Sequence, residues 1–177
     1  MAPKTSGKWH GLHAPVGDTD TGTGVADAVH VRNMQLALEQ ARLCEPSPTA
    51  FCVGCVIVDG SQLERVLAVG FSRELPGNTH AEQCALDKLE RQEGRGAGGE
   101  LVLYTTMEPC STRLSGNAPC VQRILANAHV KHVLIGVDEP DDFVACQGTR
   151  LLREHGVDVR TVEGFAEQCL SEARRGR

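Results

Sequence analysis

Runs of helical and of β-branched character alternate along the second half of the chain, and this alternation restricts the fold more than any other feature. From His80 onward the successive runs are "HAEQCALDKLERQ", "ELVLYTT", "NAPCVQRILANA", "HVLIGV", "GTRLLREHG" and "VDVRTV". Strands joined by crossover helices pair in parallel, and the helices cover both faces of the sheet. Earlier, "FCVGCVIVDG" and "RVLAVGFS" flank a polar Gly/Ser turn and predict a hairpin. We therefore predict an α/β fold of three layers, α/β/α, around a mixed sheet of about five strands.

The beginning of the chain has a different composition. Residues 1–24 are rich in Gly, Thr, Asp and Pro without periodicity, which predicts a flexible leader. A helix is predicted from Asp27 to a point before Pro46, with its apolar stripe at Val31, Met34, Leu38 and Ala41. A chain of 177 residues suffices for one compact domain and is too short for two ordinary ones. We predict a leader at 1–24 and one domain at 25–177.

Charge and hydropathy exclude several classes of partner. The net charge of −5 argues against binding of nucleic acid, which usually requires a basic surface, and favours a small substrate. No window approaches the roughly 18 apolar residues that a membrane helix needs, so no membrane partner is expected. No secretory-type apolar run opens the chain, which predicts a thiol-reducing cytoplasmic location. The eight cysteines are therefore expected to be thiols or metal ligands.

Four residues near two predicted helix starts carry the chemistry. His80 and Glu82 begin one helix, Cys110 follows a strand, and Cys120 begins the next helix. These positions fall at the carboxyl edge of the sheet, where α/β proteins build their sites. One imidazole and two thiolates suit a tetrahedral Zn²⁺ with a fourth position for water. Zinc would lower the pKa of that water, and Glu82 would carry its proton to a leaving group.

Apart from a longer spacing between the cysteines, this arrangement follows the zinc-deaminase signature, in which H-x-E is followed by P-C-x-x-C and the glutamate is not a ligand. The stretches "HAEQCAL", "TTMEPCSTRLSGNAPC" and "GVDEPDDFVACQGTRLLREHGVDV" resemble the pyrimidine deaminase of riboflavin biosynthesis, and most of all its fungal form. The similarity covers about residue 27 to the end.

The resemblance implies a cytidine deaminase-like fold, a homodimer and a zinc-dependent hydrolase. The implied reaction removes the 2-amino group of 2,5-diamino-6-(ribitylamino)pyrimidin-4(3H)-one 5′-phosphate. It would give 5-amino-6-(ribitylamino)uracil 5′-phosphate and ammonia. His80, Cys110 and Cys120 would be the zinc ligands, and Glu82 would be the catalytic proton carrier.

Two departures from related deaminases affect substrate recognition. Nine residues, "STRLSGNAP", separate Cys110 from Cys120 where nucleoside and tRNA deaminases usually have two. Within this loop, Ser111, Arg113 and Ser115 are predicted to contact a polar substrate or its phosphate, together with Arg73 and Asn78 before His80. Ala50 and Phe51 stand where bacterial relatives tend to carry Asn-Pro, so a pyrimidine contact from that Asn is not expected here.

Two other functions stay open at this point. The first is a nucleotide or tRNA cytosine or adenine deaminase, which the acidic composition and the long cysteine spacing disfavour. The second is a non-catalytic zinc-binding interaction module, which would have no need of Glu82. Among the other cysteines, Cys84 and the "CVGC" pair Cys52 and Cys55 are interpreted as packing residues, with Cys84 the alternative fourth ligand.

Overall fold

The structure is a computed structural model that describes residues 21–92, 99–138 and 147–177, with side chains from residue 27. Helices and strands follow one another largely as the sequence predicts. In chain order the elements are α1 (Thr21–Leu43), β1 (Gly54–Asp59), β2 (Gln62–Phe71), α2 (Ala81–Arg91), β3 (Leu101–Thr105), α3 (Cys120–Ala126), β4 (Val130–Ile135), α4 (Gly148–Glu154), β5 (Asp158–Thr161) and α5 (Ala166–Ala173). Within these ranges no helix is both long and apolar enough to cross a membrane.

The five strands form one mixed sheet in the order β2-β1-β3-β4-β5. Strand β1 pairs antiparallel with β2 and with β3, whereas β3, β4 and β5 pair in parallel. The hairpin comes first because two short β-branched runs are joined by a tight turn, and the parallel pairs follow because each later connection contains a helix. The predicted sheet of about five strands, with a hairpin followed by parallel strands, is confirmed.

Each face of the sheet carries its own apolar core. Successive strand side chains point to opposite faces, so in β3 Leu103 joins the core beneath α2, α3 and α4. Its neighbour Tyr104 joins the core beneath α1 and α5. The three-layer α/β/α arrangement is therefore confirmed.

Helix α1 differs from its prediction at its start and on its buried face. It begins at Thr21, six residues before Asp27, so residues 21–24 of the predicted leader are helical; residues 1–20 lie outside the described part. Val31 was predicted in the apolar stripe but is 47% exposed, and His30 is buried in its place. Position 30 lies four residues before Met34 and therefore shares its helix face. The division at 24/25 stays a prediction.

Helix α5 is more buried than the sequence predicts. The final stretch predicts a short polar surface helix, yet Cys169 and Ala173 are fully buried and α5 packs against α1. Only two of its eight residues carry this packing, which makes the apolar signal too short to detect by periodicity. The Gly/Arg-rich stretch "EGRGAGGE" predicts a solvated connection, and its residues 93–98 lie outside the described part of the chain.

Two glycines let helices lie unusually close to the sheet. A methyl group on Gly54 would lie 1.9 Å from Ala37 O, and one on Gly70 would lie 2.4 Å from Ala81 O. Both distances are far below van der Waals contact, so only glycine fits. At Gly70 this close approach brings the first turn of α2 against β2, and that turn carries His80 and Glu82.

Candidate active site

The candidate site lies where two strands end at the same edge of the sheet. Strands β2 and β3 are both antiparallel to β1, so Phe71 and Thr105 lie at the same edge of the sheet, one on each side of β1. The loop after β2 leads to His80, which is the N-cap residue of α2 and makes no capping bond with its side chain. The loop after β3 carries Cys110, and Cys120 is the first residue of α3. His80, Glu82, Cys110 and Cys120 therefore lie at the predicted edge of the sheet.

His80, Cys110 and Cys120 form a compact group whose ligand atoms all lie within 4.8 Å of one another. His80 Nδ1 is 3.4 Å from Cys110 Sγ and 3.5 Å from Cys120 Sγ. A tetrahedral zinc ion with bonds of about 2.3 Å to sulfur and about 2.0 Å to nitrogen holds such atoms about 3.5 Å apart. The donor set and its spacing therefore fit Zn²⁺.

The thiols of Cys110 and Cys120 differ in acidity. A hydrogen bond from Cys120 is the main reason that the pKa of Cys110 falls to about 4, and His80 lowers it further. Donating that bond raises the pKa of Cys120 well above its usual value, with burial and the charge of Glu82 adding to the effect. The pair thus resembles one thiolate and one thiol, and binding of a metal by both sulfurs would release the Cys120 proton.

Glu82 lies beside this group and connects it, through Cys120, to Thr105 at the end of β3. Its carboxyl is almost fully buried, and burial, followed by the negative charge of Cys110, raises its pKa. Oε2 is 3.3 Å from Cys120 Sγ, and Oε1 is 3.1 Å from Thr105 Oγ1. Thr105 Oγ1 is also 3.0 Å from Met107 O.

Thr105 can satisfy Glu82 in either protonation state. A hydroxyl has one hydrogen and can also accept. Thr105 can therefore donate to ionised Glu82, or donate to Met107 O and accept a hydrogen bond from protonated Glu82. Sequence reasoning missed Thr105, although its position as the last residue of the strand that leads to Cys110 was available as a signal.

A pocket of about 210 Å³ opens beside these groups. His80, Glu82 and Cys110 line it, and so do all five residues predicted to contact substrate: Arg73, Asn78, Ser111, Arg113 and Ser115. The remaining lining residues were not predicted: Thr49, Ala50, Phe51, Val53, Ser72, Thr79, Met107, Glu108, Thr112 and Leu114. Ala50 and Phe51 had been singled out only as a departure from related sequences.

Residues 28–137 match the family described as "Cytidine and deoxycytidylate deaminase zinc-binding region". The chain belongs to this deaminase family. The matched range includes the whole His80, Glu82, Cys110 and Cys120 arrangement, so family membership and site geometry rest on the same residues.

Within the family, the chain is similar to deaminases of riboflavin biosynthesis. It is 42% identical over 147 residues to "Diaminohydroxyphosphoribosylamino-pyrimidine deaminase" of Schizosaccharomyces pombe, covering 83% of this chain and 35% of that protein. It is 34% identical over 150 residues to a chloroplastic riboflavin biosynthesis protein of Zea mays, covering 83% of this chain and 34% of that protein. The chain thus spans about a third of the length of these curated relatives.

Solved structures show the same relationship at the level of fold. The Rib2 deaminase of Aspergillus oryzae, as a C-terminal deletion mutant, superposes with a TM-score of 0.75 at 34% identity, covering 84% of this chain and 92% of that one. The same Aspergillus oryzae protein in complex with DARIPP gives a TM-score of 0.74 at 33% identity, with the same coverage. The predicted cytidine deaminase-like fold and the predicted resemblance are confirmed.

The two arginines of this deaminase pocket are held by protein atoms. Arg73, whose φ is +63°, donates to Phe51 O at 3.3 Å and to Glu45 O, and its guanidinium lies 2.9 Å from Cys44 Sγ. Arg113 donates to Gln83 Oε1 at 3.0 Å and to Asn78 O. Both side chains therefore fix the pocket wall as well as lining it.

The other described cysteines lie outside the metal-binding group. Cys84 is fully buried on α2 and is not part of the His80, Cys110 and Cys120 group, so it is not a fourth ligand in this arrangement. Cys52 and Cys55 are fully buried too, and the seven described cysteines are all free thiols; Cys146 lies outside the described residues. The interpretation of Cys84, Cys52 and Cys55 as packing residues is consistent with these positions.

Proposed function

We propose that the chain is a zinc-dependent hydrolase that deaminates 2,5-diamino-6-(ribitylamino)pyrimidin-4(3H)-one 5′-phosphate in riboflavin biosynthesis. The products would be 5-amino-6-(ribitylamino)uracil 5′-phosphate and ammonia. The observation that carries the proposal is a buried carboxylate, Glu82, beside a zinc-fitting imidazole and thiol group in one pocket. Support for the substrate comes from the Aspergillus oryzae deaminase, which binds the phosphorylated aminopyrimidine DARIPP.

In this proposal His80, Cys110 and Cys120 hold the metal and Glu82 moves the proton. Zinc, when bound there, supplies Lewis acidity that makes a water molecule acidic near neutral pH. Glu82 takes a proton from the attacking water and returns it to the leaving nitrogen, so that ammonia departs as a neutral molecule. Thr105 keeps Glu82 hydrogen-bonded before and after the transfer, since its hydroxyl both donates and accepts.

Five polar residues of the pocket are proposed to recognise the substrate. Asn78, Ser111 and Ser115 offer uncharged donors and acceptors to the pyrimidine and the ribityl chain. Arg73 and Arg113 place two positive charges in the wall, which favours a phosphorylated substrate. Because both guanidinium groups also donate to protein acceptors, their attraction for phosphate is exerted from fixed positions.

The activity is tested by offering the zinc-loaded protein four substrates in parallel and measuring ammonia. They are the ribitylaminopyrimidinone phosphate, its ribosyl counterpart, cytidine and deoxycytidine monophosphate. We expect the highest kcat/KM with the ribityl compound. Preference for cytidine or its nucleotide would preserve the zinc chemistry and overturn the substrate assignment. No ammonia from any of them, with zinc bound, would favour the non-catalytic interaction module.

We also propose that the protein works as a homodimer in the cytoplasm and binds neither nucleic acid nor membrane. The net charge of −5 supports the lack of nucleic-acid binding, and the free thiols of the described cysteines suit a reducing compartment. Light scattering coupled to gel filtration tests the dimer, with a single species at the monomer mass of 19.0 kDa as the contradicting result.

A further inference from the structure

The long loop between the two cysteine ligands raises a structural problem. Residues 111–119 contain neither helix nor strand, so secondary structure does not fix the spacing of Cys110 and Cys120. Two bonds draw the ends of the loop together: Cys120 N donates to Cys110 Sγ at 3.4 Å, and Val121 N donates to Cys110 O at 3.2 Å. Neither bond connects the loop to the separate segment that carries His80.

Two side chains make that connection beside the pocket, which Arg113 and Asn78 line. Arg113 donates to Gln83 Oε1 at 3.0 Å and to Asn78 O, and Asn117 Nδ2 donates to Gly77 O at 3.1 Å. We call these three contacts the rim bridge. They join the loop between the cysteines to the residues on both sides of His80.

The acceptors of the rim bridge are themselves well fixed. Gln83 is a buried residue of α2, one position after Glu82. Gly77 and Asn78 form a bend with positive φ values of 94° and 54°. Such a bend sets the direction in which the chain enters α2, and a hydrogen bond to its carbonyls holds it there. The rim bridge therefore acts on the backbone that orients His80.

We propose that Arg113 is a positioning residue for the metal site, which clamps the loop of Cys110 and Cys120 against the segment of His80. The inference rests on the proposed zinc site. Arg113 does so because its planar guanidinium has donors on two nitrogens in a fixed fork and reaches Gln83 and Asn78 at once. A lysine keeps the charge but has no such fork. Groups that orient metal ligands typically contribute about 10-fold to 100-fold in metal affinity.

This role differs from that of a phosphate contact in what it predicts. A residue that only attracts phosphate would change KM and leave zinc affinity alone. A residue that positions the ligands would change zinc affinity in the absence of any substrate, so this measurement separates the positioning role of Arg113 from the attraction of its charge for phosphate.

The test measures zinc affinity by chelator competition, without substrate, for the wild type, Arg113→Ala, Arg113→Lys and Gln83→Ala. We expect Arg113→Ala to weaken zinc binding about 10-fold to 100-fold, and Arg113→Lys to restore little of it. Gln83→Ala should show a smaller loss of zinc affinity. A double variant that combines Arg113→Ala with Gln83→Ala should bind zinc no more weakly than Arg113→Ala alone. The matched control is Arg91→Ala, an exposed arginine of the last turn of α2.

Zinc affinity of both Arg113 variants within twofold of the wild type would overturn the proposal. So would a double variant whose loss of zinc-binding free energy equals the sum of the losses in Arg113→Ala and Gln83→Ala. Urea unfolding of the zinc-free proteins identifies any variant that fails to fold. In that case Asn117→Ala, which removes only the side-chain contact to Gly77, is measured instead. The proposal then requires Asn117→Ala to weaken zinc binding. Because the assay contains no substrate, absence of turnover would count against the proposed function and not against the rim bridge.

Discussion

Thr105, the last residue of β3, supplies a hydrogen-bond partner to the proposed proton carrier Glu82. Glu82 is buried, which favours its protonated form, while Thr105 offers a hydrogen-bond partner to either form. A buried carboxyl without a partner would cost about 1–3 kcal/mol. Glu82 was found from the sequence because its spacing from His80 matches a known signature. Thr105 was not, since its residue type is common in buried strands and only its position at the end of the strand that leads to Cys110 could have indicated a role.

Removal of the Thr105 hydroxyl is predicted to impair proton transfer without loss of metal. We expect Thr105→Val to lower kcat about 10-fold to 100-fold, because Glu82 Oε1 then lacks its partner. Thr105→Ser keeps the hydroxyl and should retain most of the activity. Zinc content and steady-state kinetics of the three proteins check this, and equal kcat values for Thr105→Val and wild type would refute the role of Thr105.

At the scale of the elements, the position of helix α2 depends on a glycine in β2. Gly70 has no side chain, so Ala81 and Ala85 of α2 approach the backbone of β2 closely. The sequence predicts both elements from their periodicity, but not how near they lie, because distance depends on the pairing of a glycine with two alanines distant in sequence. The contacts of Arg73 and Arg113 escaped prediction for the same reason: their acceptors lie 22–35 residues away.

A methyl group at Gly70 is predicted to displace α2 from the sheet. Its Cβ would lie 2.4 Å from Ala81 O and 2.6 Å from Ala85 N, and both are backbone atoms. We expect Gly70→Ala to lower the free energy of unfolding by at least about 1–3 kcal/mol and to weaken zinc binding. Gly99→Ala is the matched control, because a Cβ there meets no atom of the described residues within 4 Å. Urea unfolding should separate the two variants, and similar stability would contradict this account of α2.

For the molecule as a whole, the side of the sheet opposite α2 contains a buried polar contact. His30 of α1 is buried, and its Nδ1 is 2.7 Å from the hydroxyl of Tyr104, a residue of the core on that side. Burial is the main cause that lowers the pKa of His30; Arg160 and His132 lower it further, and Asp27 raises it. The unfolded chain therefore binds a proton more readily than the folded one. Neither the contact nor its burial was predicted, because the periodic pattern favoured Val31 as the core residue.

The stability of the protein is predicted to fall between pH 7.5 and pH 5.5, in part through His30. As pH decreases past about 6.5, the usual pKa of histidine, the unfolded state takes up a proton that folded His30 resists, so the free energy of unfolding decreases. His30→Gln should reduce this pH dependence. Urea unfolding of the zinc-free wild type and variant at both pH values checks it, and an unchanged slope would exclude a contribution of His30.

The central claim is that Glu82 moves protons for a zinc-dependent deamination, and ammonia release by Glu82→Gln tests it most directly. The ribitylaminopyrimidinone phosphate is offered to wild type and variant at equal zinc content. The predicted result is turnover by the wild type and a loss of at least about 100-fold in the variant, with one zinc ion bound to each chain. Turnover by Glu82→Gln within tenfold of the wild type, at full zinc occupancy, would contradict the assignment.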